Sequence, residues 1–105
     1  MKTRLDELFD KYDENPLDTD IIFSIVKEYL KNNEDDEAEV YLKDLLKKDP
    51  KYVQAYITYG NLKENLAEVE DARYYYQQGL KVAKELNDQK AIRVLEDYLD
   101  ELEEY

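Results

Sequence analysis

Catalysis and metal binding need nucleophiles, imidazoles, thiolates or fixed pairs of acids, and this sequence of 105 residues holds few of them. It has no His and no Cys, and Ser24 is its one serine. Without His there is no triad, no imidazole base and almost no route to a zinc or haem site. Without Cys there is no disulfide and no thiolate. Two glycines cannot build a phosphate-cradling loop. Carboxylates remain, 27 acids against 15 bases. The runs Glu34-Asp35-Asp36-Glu37 and Asp100-Glu101 with Glu103-Glu104 invite a calcium reading. Their spacing does not match an EF-hand loop, and its central glycine is missing. A solvated turn and a fraying helix end account for them instead. Paired carboxylates cleave glycosides only from a deep pocket, and no Asp or Glu sits inside an apolar stripe here. The expectation is no enzyme, no catalytic or metal-binding residue and no cofactor.

A net charge of -12 excludes partners as firmly. Nucleic-acid backbones and anionic membrane surfaces both call for basic patches. No apolar run has the length of a membrane span, and Met1 is not followed by a signal-peptide core. These absences imply a cytoplasmic protein. Leu, Ile, Val and Phe supply 27 residues and Tyr another 11, more apolar surface than an acidic disordered chain carries.

Two glycines, two prolines and many Leu, Glu, Lys and Ala predict an all-helical chain. Apolar residues recur at helical spacing in six stripes. The first is Leu5, Leu8, Phe9 and Tyr12. The second runs from Ile21 and Ile22 through Ile25, Val26, Tyr29 and Leu30. Ala38, Leu42, Leu45 and Leu46 make the third, stopped by Asp49-Pro50. The fourth is Val53, Tyr56, Ile57, Tyr59, Gly60 and Leu62. The fifth is Ala72, Tyr75, Tyr76, Gly79, Leu80 and Ala83. The last is Ala91, Val94, Leu95, Tyr98, Leu99 and Leu102, with Asn87-Asp88 offering its cap.

Pro16 and Pro50 lie 34 residues apart, and a shift of 34 overlays residues 19–50 on 53–84 without a gap. Glu34/Glu68, Ala38/Ala72, Tyr41/Tyr75, Leu46/Leu80 and Lys47/Lys81 coincide. The second copy reads Tyr56-x-x-Tyr59-Gly60-x-x-Lys63, then Ala72-x-x-x-Tyr76 and Gly79-Leu80. The first reads Ile22-x-x-Ile25-Val26-x-x-Tyr29, then Ala38-x-x-x-Leu42. This period and pattern of sizes resemble the tetratricopeptide repeat, a 34-residue antiparallel helix pair. The resemblance implies an all-α, right-handed α-solenoid in one domain. Residues 1–16 form a half-repeat helix, 19–52 and 53–86 two repeats, and 87–105 a solvating cap. It also implies that Gly60 faces Ala72 and Gly79 faces the next helix. Lys63, in an aromatic's place, leaves its corner open to solvent, and Val26, in a small residue's place, splays its pair. Tyr41 and Tyr75 point outward, and the Tyr74-Tyr75-Tyr76 run presents three directions.

In this family the first helix of each pair lines a groove. The resemblance assigns that wall to Asp20, Phe23, Lys27, Leu30 and Lys31 in the first copy. In the second it assigns Gln54, Ile57, Asn61, Glu64 and Asn65. The implied function is protein–protein interaction, with a partner peptide or helix held between the apolar Phe23 and Ile57 and oriented by Lys27, Lys31 and Asn61. The competing possibility is that the sixth helix folds onto this wall and buries it. Two other functions compete: a self-associating scaffold, and an acidic mimic occupying a basic protein surface. The charge disfavours self-association, so a monomer is expected rather than a homodimer. Lys interspersed among the acids disfavours mimicry.

Overall fold

The computed structural model describes residues 1–103, and among them six α-helices follow one another without a strand. They are α1 (Arg4–Glu14), α2 (Thr19–Lys31), α3 (Asp35–Lys48), α4 (Val53–Asn65), α5 (Val69–Glu85) and α6 (Gln89–Leu102). The all-α expectation holds. Glu104, the end of the second acidic run, lies outside the described residues. The helices fall into two compact units, Met1–Pro50 and the residues from Lys51 onward.

Three turns share one construction. After α2, Asn33 takes a left-handed φ of 60°, its N–H donates to Leu30 O at 3.1 Å, and the Glu34 N–H donates to Tyr29 O at 2.9 Å. After α4, Ala67 has φ 61°, and the Glu68 N–H reaches Lys63 O at 2.8 Å. After α5, Asn87 has φ 57°, and the Asp88 N–H reaches Ala83 O at 2.9 Å. These paired bonds satisfy the orphan carbonyls of each helix end. The same third residue then opens the next helix. The carbonyls of Glu34, Glu68 and Asp88 accept from the N–H groups of Ala38, Ala72 and Ile92. Asp88 adds a side-chain cap, accepting from Ala91 N at 3.1 Å.

In the first unit, Leu8 of α1, Ile22, Ile25 and Val26 of α2, and Ala38, Leu42 and Leu45 of α3 are buried. Beside them lies an aromatic cluster. Tyr41 stacks on Tyr29 at 5.8 Å, meets Tyr12 edge-on at 6.2 Å and lies 5.9 Å from Phe9. Tyr41 is therefore not the outward-facing residue the pattern implied. It is half-buried, and that burial pushes its hydroxyl pKa up. Lys48 ties the end of α1 to α3, donating to Tyr12 Oη at 3.2 Å and Pro16 O at 2.8 Å while pairing with Asp44 at 3.1 Å. Burial opposes its ammonium, but Tyr12 and Asp44 outweigh it and hold the pKa up.

The second unit is built around Tyr76. Its core is Val53, Ile57, Ala72, Tyr76, Ala83, Ala91, Leu95 and Leu102. A Cβ on Gly60 would sit 2.8 Å from Tyr76 Cζ and closer still to two other ring carbons. Gly60 thus makes room for Tyr76, one helical turn beyond Ala72 on α5. The 34-residue shift turns this pair into Val26 and Leu42, both fully buried. The first copy divides between two medium side chains the volume that the second gives to one ring, so Val26 is core rather than misfit. Lys63 also departs from expectation. It is 9% exposed, donates to Glu68 Oε2 at 3.0 Å and lies 5.9 Å over the Tyr59 ring. Its aliphatic stem fills the aromatic's place while its head bonds at the turn, which closes the corner. Tyr75 stacks on buried Tyr59 at 3.8 Å and is half-buried, not outward. Tyr74 is exposed and Tyr76 fully buried, so the tyrosine run does present three directions.

Candidate functional site

Both α4 and α6 pack antiparallel to α5. On one side Gly60 meets Tyr76 and Tyr56 meets Gly79; on the other Tyr76 meets Tyr98 and Gly79 meets Leu95. A Cβ on Gly79 would stand 2.8 Å from Tyr56 Cβ and 3.4 Å from Leu95 Cδ2. The missing side chain lets α4 and α6 both settle onto α5, and between them lies a cleft of about 360 Å³.

Gln54 and Ile57 line it from α4, and Ala91, Val94 and Tyr98 from α6. Asp88 and Lys90 close the end where both helices begin. Ile57 is 8% exposed and belongs to the core as well as to the cleft, so α6 covers much of this side chain without sealing the space above it. Tyr98 stacks on Tyr76 at 5.1 Å. The Tyr76 hydroxyl donates to Glu64 Oε1 at 2.6 Å and lies 2.7 Å from Asn61 Oδ1. One proton serves one acceptor, and the carboxylate is the stronger; turning the Asn61 amide over supplies a donor for the second contact. Burial first, then the Glu64 carboxylate, push the Tyr76 pKa far above the usual phenol value.

The residues expected on a groove wall are thus distributed. On α2, Asp20, Lys27 and Lys31 are exposed, Phe23 and Leu30 are half-buried, and the Lys27 ammonium lies 5.0 Å from the Phe23 ring centroid. On α4, Gln54 and Ile57 enter the cleft, Asn61 and Glu64 contact the Tyr76 hydroxyl, and Asn65 is exposed. Sequence reasoning brought the sixth helix to this wall only as a cover that would bury it, not as a second wall. Its stripe held the signal: Val94 and Tyr98 stand four apart, beside the line of Ala91, Leu95 and Leu102 that the core uses. The stripe was wider than one core face needs. Among the described residues no acidic cluster is arranged to hold a metal ion, and no helix is long and apolar enough to cross a membrane.

No family model matches the chain. No curated protein matches it either. Solved structures do. A tetratricopeptide repeat domain protein from Salinibacter ruber, determined in solution, is 32% identical with a TM-score of 0.80, over 85% of this chain and 90% of that one. Its crystal structure aligns at 0.77 over 82% and 96%. A protein from Bordetella parapertussis, also solved in solution, shares the fold at 0.86 with 23% identity, over 99% of this chain and 90% of that one.

Proposed function

Since the chain belongs to the tetratricopeptide-repeat family, whose fold suggests a protein–protein interaction module, we propose that it binds a peptide or helix of a partner protein in the cleft between α4 and α6. The observation that carries this reading is the cleft itself. It is a trough of about 360 Å³ whose lining mixes apolar side chains with polar groups, the composition of a recognition site rather than of a packing fault. Phe23 and Lys27 on α2 offer the first unit's own contact strip. Ile57 and Val94 supply apolar walls, and binding proceeds without chemistry.

Affinity capture with paired variants tests it. Val94→Glu puts a charge into the trough and should lose the captured partner. Tyr74→Glu, on an exposed position of α5, should keep it. Circular dichroism checks that both variants fold. Loss with Tyr74→Glu and retention with Val94→Glu would overturn the assignment.

A further inference from the structure

The cleft has two electrically different ends. At one, α4 and α6 both begin, so the positive ends of two helix dipoles meet there. Lys90 adds a full charge, and among the described residues no carboxylate pairs with its ammonium. Asp88, its neighbour, is held by the N–H of Ala91 as a helix cap. The lining ends at Tyr98 on the opposite side. Beyond it, towards the finish of both helices, Glu64 accepts from the hydroxyl of Tyr76, the ring on which Tyr98 stacks, and the Glu101 carboxylate adds its field there. Between the ends lie the apolar side chains of Ile57, Ala91 and Val94. From Gln54 to Glu64 along α4 is about 15 Å at the helical rise.

Resting on the reading above, we infer that this cleft selects a partner helix with its charges segregated, apolar along the buried stripe, acidic at the end beside Lys90 and basic at the end beside Glu64 and Glu101. Complementary ends fix the register of the bound helix and reject one whose like charges fall together. The protein's overall charge of -12 attracts any basic partner. The polarised cleft distinguishes among them.

Two synthetic 16-residue helical peptides of identical composition and identical leucine positions supply the probe. One carries its glutamates in one half and its lysines in the other; its companion interleaves them. Binding is read by titration calorimetry and by chemical-shift perturbation of the full chain. The segregated peptide should bind about threefold to tenfold tighter, the scale of two partly exposed ion pairs. Lys90→Glu should remove that preference, bringing the two peptides to the same affinity; Lys90 is exposed, so the fold tolerates the change. Equal affinity for both peptides, each weakened by Val94→Glu, overturns the charge selection while the cleft reading stands. Binding that shifts neither Ile57 nor Val94 overturns both, and so does the absence of binding at millimolar peptide.

Discussion

Gly60 and Tyr76 are fitted to each other across the contact between α4 and α5. Gly60→Ala gains up to about 1 kcal/mol of helix propensity but drives a methyl into a fully buried ring. Overpacking of that kind costs about 1–3 kcal/mol, so the net expectation is a loss of up to about 2 kcal/mol in urea denaturation. Gly60→Val combined with Tyr76→Leu copies the pair found at positions 26 and 42. The double variant should be more stable than the two single losses add up to, by about 1 kcal/mol or more. Tyr76 also sets an alkaline limit. Its folded pKa lies above the unfolded value of 10.0, raised by burial and then by Glu64. The folded protein therefore keeps a proton that the unfolded chain gives up. Stability is complete below the unfolded value and falls as pH rises through and beyond it. Tyr29 and Tyr41, also raised by burial, act in the same direction. Denaturant midpoints should drop above about pH 10, and Tyr76→Phe should flatten that drop while costing about 1 kcal/mol at neutral pH.

The turn after α4 is the place where an element can be improved. Asn33 and Asn87 tolerate the left-handed backbone; Ala67, at φ 61°, does not do so cheaply. Ala67→Gly should raise stability by about 0.5–1 kcal/mol, seen as a melting point a few degrees higher. Asn33→Ala should move it down by a similar amount. The elements were legible in the sequence because the stripes, the asparagines and the prolines agree on where each helix begins and ends. The exchange of volume between repeats was not. A 34-residue comparison scores Gly60 against Val26 and Tyr76 against Leu42 as two mismatches, although the two differences offset each other in volume and all four positions are buried. Lys63 was misjudged for a related reason. A charged letter implies exposure, but its four-carbon stem packs while its ammonium finds Glu68.

For the molecule as a whole, 27 acids against 15 bases imply self-repulsion. Raising sodium chloride from about 0.01 M to about 0.5 M shortens the screening length several-fold. The melting point should rise over that range, whereas a protein held together by its surface ion pairs would show a fall. Half of the candidate site followed from the repeat, since Gln54 and Ile57 occupy wall positions of a first helix. The α6 half did not, because α5 runs 17 residues where α3 runs 14. That added length carries Lys90, Val94 and Tyr98 out of step with the 34-residue period. The turns explain why such length falls within a helix. Glu34, Glu68 and Asp88 each end one helix and begin the next, so these joints contain no slack. One residue inserted there acts like a frameshift: every later side chain in the helix turns by about 100°, and its core face points elsewhere. Insertions and fusions should be tolerated ahead of Thr3 and refused at these three joints.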